Sequence, residues 1–259
     1  VAKRVDNTDR EIACLLSGGL DSSLITGLVV HISKMRFNRH PSTIHTWSIG
    51  MNGSQDLKYA KNVAEFLGTT HHSIELSEKE FLDAIPNVIY TIESNDTTTI
   101  RASVGNWLIS KYIRENSNAK VIFNGDGSDE VTGGYIYFHA APDAIDFDKE
   151  CRRLLSDIHY YDVLRSDRSI ASHGLEPRTP FLDRGFVQAY LSIPMQDRCH
   201  NINNRCEKYL LRKAFSEMDI IPNEVLWRRK EAFSDGVSTS TKSWFEVIQE
   251  FAQTKYPFL

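Results

Sequence analysis

The sequence predicts an α/β protein: a parallel twisted sheet with helices on both faces, joined to a largely helical C-terminal part. Three observations carry this. Over the first half of the chain, short apolar runs alternate with helical stretches of roughly 10 to 15 residues, the pattern of βα units. The first apolar run passes through a glycine pair directly into a helical stretch. From about Pro142 onward the periodicity is mostly helical.

Residues 11–16 (E-I-A-C-L-L) form the first strand, and 22–37 show helical periodicity through Leu24, Ile25, Leu28, Val29 and Ile32. Residues 43–50 (T-I-H-T-W-S-I-G) read as a second strand, and 55–67 as an amphipathic helix stopped by Gly68. A third strand covers 70–76; Ser77 then caps a helix, with Glu80 at the capping-box position. Another helix is predicted over about 100–116, and 120–124 (K-V-I-F-N) reads as a buried parallel strand. Ligands on such sheets bind beyond the carboxyl ends of the strands, and the helical half is expected to close over that edge. The expected organisation is a single domain over 1–259, with an α/β core of about 10–140 and a helical part of about 141–259.

The 259 residues are 41% hydrophobic and 25% charged, ordinary for a globular chain. A net charge of −4 gives no basic surface for nucleic acid. No apolar run approaches the ~20 residues that cross a bilayer, so no membrane association is expected and a cytoplasmic location is the default. Cys14, Cys151, Cys199 and Cys206 lack the paired spacing of a zinc site. The chain opens on Val1, without an initiator Met, and reads as part of a longer protein.

Two segments carry chemistry. The first strand runs into Ser17-Gly18-Gly19-Leu20-Asp21-Ser22-Ser23, and a helix follows at once. Glycines let the backbone approach a ligand closely, while free N–H groups and the positive helix end face one point, making an anion site. The serines add hydroxyls. Asp21 would repel phosphates unless a cation stood between them, and Mg²⁺ is the natural one. The loop is not a Walker A sequence. It resembles the loop of the ATP-pyrophosphatase (PP-loop) family, whose members split ATP into AMP and pyrophosphate.

The second segment is Asn124-Gly125-Asp126-Gly127-Ser128-Asp129-Glu130, again at a strand end and again opening a helix. Three carboxylates within five residues repel one another unless they meet cations or take distinct roles. Asp129 is placed to share the metal with Asp21. A solvated acidic turn is the alternative, and the flanking strand and glycines argue against it.

With this segment the chain resembles the asparagine synthetase family over nearly its whole length. Thr97-Thr98-Thr99-Ile100-Arg101-Ala102-Ser103 is similar to the family's T-T-I-R-A-S stretch. Tyr161-Asp162-Val163-Leu164-Arg165 fits the segment that precedes its G-x-E-x-R-x-P-F-L-D string, which runs here from Gly174 to Asp183. Trp227-Arg228-Arg229-Lys230-Glu231-Ala232-Phe233-Ser234-Asp235-Gly236 resembles W-R-x-K-E-x-F-S-D-G.

The resemblance implies a ligase of the adenine-nucleotide alpha-hydrolase-like fold that uses ATP and Mg²⁺. Aspartate is activated as β-aspartyl-AMP and then amidated by ammonia, with AMP and pyrophosphate released. It further implies that Ser17, Gly18, Gly19, Asp21 and Ser22 hold pyrophosphate, with Asp21 and Asp129 on the metal. Leu16 and Ile49 flank the adenosine, and Asn124 and Gly125 contact the nucleotide. Asp162 and Arg165 organise the pyrophosphate side, and Lys230 neutralises charge developing on the phosphates. Thr98, Thr99 and Arg101 attend aspartate and the adenylate, a guanidinium suiting bidentate carboxylate binding. Asp126 is the base on ammonia.

Ammonia in this family comes from glutamine through an N-terminal glutaminase domain with a cysteine nucleophile at its first residue; that domain is absent here, and a homodimer through it is implied. Two departures stand out: the family usually has S-G-E-G-S-D-E where this chain has N-G-D-G-S-D-E, and Asn95 stands where many relatives have tyrosine. A β-lactam synthetase-like enzyme and a catalytically silent ATP-binding or assembly domain are the alternatives.

Overall fold

The computed structural model describes residues 1–229, 238 and 242–255. A short helix, α1 (Ala2–Asp6), precedes strand β1 (Ile12–Leu15) and helix α2 (Leu20–Phe37). Then follow β2 (His45–Met51), α3 (Gln55–Leu67), β3 (Thr70–Leu76), α4 (Glu78–Ile92), α5 (Thr97–Asn116) and β4 (Val121–Phe123). The second half holds α6 (Ser128–Thr132), α7 (Ala144–Asp157), α8 (Asp162–Ala171), strand β5 (Glu176–Arg178) and α9 (Arg184–Ser192). After it come α10 (Met195–Arg198), α11 (Tyr209–Phe215), α12 (Asn223–Leu226) and α13 (Trp244–Lys255).

All neighbouring strands are parallel, in the order β3-β2-β1-β4-β5. The chain first walks outward from β1 to β3, then returns to the other side of β1 as β4. Connections therefore leave in opposite directions at β1 and β4, which opens a crevice beyond their carboxyl ends. Alternate residues of these two strands face opposite layers. Ile12, Cys14, Val121 and Phe123 pack with Leu24 and Val29 of α2 and Ala60 and Val63 of α3. Ala13 and Ile122 pack with Phe81 and Val88 of α4, Val104 and Ile109 of α5, Ile170 of α8 and Trp244 of α13. Central strands buried on both faces need continuous apolar runs, and that is what residues 12–16 and 121–123 supply. A smaller core of Phe138, Phe147, Cys151 and Cys199 supports the helical half.

Local signals set most boundaries. Gly68, at φ +70°, ends α3 in the left-handed conformation. Ser77 and Glu80 form the capping box, with Glu80 N–H donating to Ser77 Oγ at 3.3 Å and Ser77 N–H to Glu80 Oε2 at 2.8 Å. α5 begins three residues before Ile100, because the Asp96 carboxylate accepts from Thr99 N–H at 2.7 Å and caps the helix there. Thr97, Thr98 and Thr99 thus form its first turn. α2 likewise begins at Leu20, placing Asp21 and Ser22 on its first turn.

The second half is largely helical, with one exception. Glu176–Arg178 adds a fifth strand to the edge of the sheet, Asn124 N–H donating to Arg178 O at 3.1 Å and Glu176 N–H to Lys120 O at 2.7 Å. Three residues with a central Pro177 show no periodicity of their own, and the exposed edge of β4 makes the strand. Among the described residues, no helix is long and apolar enough to cross a membrane.

Candidate active site

A cleft of about 660 Å³ lies over the carboxyl ends of β1, β2 and β4, where the topology opens the sheet. Its floor is built by the two glycine-bearing turns. After β1, Ser17 Oγ and Ser22 Oγ lie 3.0 Å apart, and Ser17 Oγ accepts from Gly19 N–H at 3.3 Å. The turn is thereby wound tightly around the start of α2, and its amides and hydroxyls border the cleft.

The two glycines there do different things. Gly18 sits at φ +75°, and a Cβ on it would lie 2.5 Å from Ala60 N and from Tyr59 Cβ of α3. It lets the loop lie against α3 and does not line the cleft. Gly19, at φ −77°, lines the cleft, with only Ser17 Oγ within 4 Å of an added Cβ. Gly18→Ala is expected to cost about 3 kcal/mol of stability, read as a lower denaturant midpoint. Gly19→Ala should leave the midpoint nearly unchanged, since an added Cβ would meet only Ser17 Oγ at 3.4 Å.

The turn after β4 meets the first one edge to edge. A Cβ on Gly125 would stand 2.8 Å from Ser22 N, so a glycine is what allows the contact. Across it, Ser128 Oγ donates to Asp21 Oδ1 at 2.8 Å. Lys208, at the start of α11, reaches between the turns: its Nζ lies 2.5 Å from Asp21 Oδ2 and 2.7 Å from Asp129 Oδ1. Gly134 leaves room for this, since a Cβ there would come within 2.1 Å of both Lys208 Cε and Asp129 Oδ1.

Lys208 is buried and in the left-handed backbone region at φ +57°, an unusual conformation for a side chain this long. Burial by itself would push its ammonium down. The Asp129 and Asp21 carboxylates outweigh that and hold it above the ordinary lysine range.

The structure thus brings together Leu16, Ser17, Gly19, Asp21, Ser22, Ile49, Thr98, Thr99, Arg101, Asn124, Gly125, Asp126, Asp129, Asp162 and Arg165 on one cleft. Lys230 lies outside the described residues. Arg101 stacks 5.6 Å over the Phe245 ring, while its backbone carbonyl accepts from Trp244 Nε1 at 3.1 Å, so α13 braces it. Its Nε is buried and has no hydrogen-bond partner among the described residues, the condition of a donor suited to an anion. Arg165 pairs with Asp162 one turn earlier on α8. Asp162 also accepts from Tyr135 at 3.2 Å, and Tyr135 donates to Glu130 at 2.5 Å.

Asp126 is half-buried between the β4 turn and α8, on the lining of the cleft. Burial pushes its carboxyl above the ordinary range, opposed by Arg165 and by the hydrogen bond from Ser166. Burial likewise raises Glu130.

Sequence reasoning missed Lys208, Ser166, Tyr135, and the Arg228–Asp56 pair, in which Nη2 lies 3.0 Å from Oδ1. Arg228 also donates to Gly18 O at 3.2 Å and lies 4.0 Å over the Tyr59 ring, securing the first turn to α3. Lys208 stands in the polar pair Glu207-Lys208 just before an apolar helix, a pattern that reads as ordinary surface.

The residues fit the Mg²⁺ that the sequence resemblance implies. Asp21 and Asp129 direct two hard oxygens at one point, now held by an ammonium. Among the described residues there is no cluster of three or more His, Cys, Asp or Glu placed for a metal. Mg²⁺ takes one or two carboxylates and completes its shell with water and phosphate, so two are enough.

The chain matches the family model described as asparagine synthase over residues 1–145 and 141–255. Asparagine synthetase (glutamine-hydrolyzing) of Gallus gallus is 46% identical over 261 residues, covering 96% of this chain and 46% of that protein. The Homo sapiens protein of the same description is 48% identical over 246 residues, covering 95% of this chain and 43% of that one. The chain therefore spans less than half the length of these relatives. Among solved structures, a glutamine-dependent NAD+ synthetase from Acinetobacter baumannii in complex with ADP superposes with a TM-score of 0.47 at 14% identity, over 90% of this chain and 34% of that chain.

Proposed function

The chain belongs to the asparagine synthase family, and from that membership we propose that it is an ATP-dependent amide-forming ligase converting aspartate to asparagine. The observation that supports this best is the meeting of two strand-end turns at Lys208, with Asp126 and Arg101 on the same cleft.

ATP lies with its phosphates on the Ser17–Ser22 turn, where amides, hydroxyls and the start of α2 attract negative charge. Leu16 and Ile49 line the adenosine side. Asp21 and Asp129 would hold Mg²⁺, which offsets phosphate charge when bound. Arg101 and Thr98 receive aspartate, whose side-chain carboxylate attacks the α-phosphorus. The bond from the α-phosphorus to its bridging oxygen breaks, and pyrophosphate leaves with that electron pair. Lys208 and Lys230 meet the charge that develops on it. Ammonia then attacks the acyl carbon of β-aspartyl-AMP. Asp126 takes a proton from the attacking nitrogen as the carbon–oxygen bond to AMP breaks. Position and charge do the work, and no covalent enzyme intermediate is formed.

Ammonia is supplied free or by a glutaminase unit outside these residues. Incubated with MgATP, aspartate and ammonium, the protein is expected to release pyrophosphate and asparagine in equal amounts, both lost in Asp21→Ala. Pyrophosphate without asparagine would instead indicate a different acceptor. Neither product from folded protein would favour a silent ATP-binding domain.

A further inference from the structure

The carboxylate of Asp126 is held on one side only. Asn124 Nδ2 donates to its Oδ2 at 2.7 Å, and Ser166 Oγ donates to the same oxygen. Asn124 Nδ2 also lies 3.1 Å from Ser166 Oγ, and Asn124 Oδ1 accepts from Asp126 N–H at 3.3 Å. Asn124 and Ser166 are 3% and 2% exposed, so water does not compete for these bonds. Among the described residues, no donor reaches Oδ1. The clamp also joins the halves of the chain, since Asn124 directly follows β4 and Ser166 lies on α8.

We propose that Asn124 and Ser166 are positioning residues that fix Oδ2 of Asp126, leaving Oδ1 as the oxygen that accepts the proton from attacking ammonia. This rests on the amide-forming reading above and assigns that site two groups whose role is orientation. An aspartate reaches less far than a glutamate would, so its usefulness as a base depends on a single rotamer. Two donors converging on one oxygen select that rotamer, and misplacement of a reacting group by about 1 Å is costly. The charged groups facing this carboxylate are Arg165 from α8 and Glu130 and Asp129 from α6. None of them hydrogen-bonds to it, so orientation falls to the two neutral side chains.

The test compares pyrophosphate and asparagine made by wild type, Ser166→Ala and Ser166→Thr at saturating MgATP, aspartate and ammonium. Ser166→Ala is expected to keep its pyrophosphate release but to make about tenfold less asparagine per pyrophosphate, the adenylate being lost to water. Ser166→Thr, which restores the hydroxyl, should recover the ratio.

Equal products from Ser166→Ala would overturn the assignment while leaving the reaction intact. Parallel loss of both products would overturn it too, because Ser166 would then only support the fold. If the wild type itself makes pyrophosphate and no asparagine, the amide-forming reading fails before any variant is compared.

Discussion

Lys208→Met is expected to reduce pyrophosphate release by about 10³-fold and to lower stability by about 3 kcal/mol. The two losses share one cause. The Lys208 ammonium stands between Asp21 and Asp129, and removing it leaves two carboxylates facing each other across touching turns. Breaking a buried pair by deleting one partner is far more damaging than the pair is stabilising, because the remaining charge has lost its solvent. The side chains of Asp21 and Asp129 keep 18% exposure each, so the cost stays at the lower end of that range. Lys208 is held above the ordinary lysine range in the folded state. Its contribution is therefore fully present at neutral pH and is lost only as pH rises through that raised value. Urea denaturation at pH 7 and pyrophosphate release with saturating MgATP check the two halves separately. Adding Mg²⁺ should recover part of the variant's stability by restoring positive charge between the carboxylates. Wild-type rates in Lys208→Met would remove these turns from consideration as the phosphate site.

Asp126→Asn is expected to leave pyrophosphate release within about twofold of wild type and to cut asparagine formation by 10² to 10⁴, roughly the range of a lost general base. The same substitution should stabilise the protein at neutral pH. Burial holds the Asp126 carboxyl above its unfolded value, so folding favours its protonated form. Stability from this group is present at acid pH and is lost as pH rises through the folded value. A neutral amide has no ionised form and so does not carry the cost that burial sets on the carboxylate. The denaturant midpoint of Asp126→Asn should therefore exceed wild type at pH 7 and fall to or below it near pH 4. By the same sign, the acid limb of asparagine formation lies above the ordinary carboxylate range. A variant less stable than wild type at pH 7 would show that the carboxylate is satisfied by its neighbours and is not under this tension.

Much of the fold was legible because its signals are local. The glycine after α3, the Ser77–Glu80 box and the apolar runs at residues 12–16 and 121–123 act within a few residues of themselves. The three missed residues at the front of α5 belong to Asp96, whose cap is visible only once the helix exists. The site was legible where it follows chain order. Both turns lie directly after strands, so a parallel sheet brings them to one edge whatever else the chain does.

What the sequence by itself determined is the periodicity of the strands and helices and the two glycine-bearing turns with their carboxylates. Only the tertiary structure decided which distant side chains meet them. Lys208 is 187 residues from Asp21 in the chain, and Ser166 is 40 from Asp126. Short-range patterns carry no record of such pairings. The fifth strand shows the same limit, since residues 176–178 are extended because β4 offers an unpaired edge beside them. Local chemistry chooses the elements; burial of both sheet faces brings distant parts of the chain against the same edge, and charge assembled there makes the site.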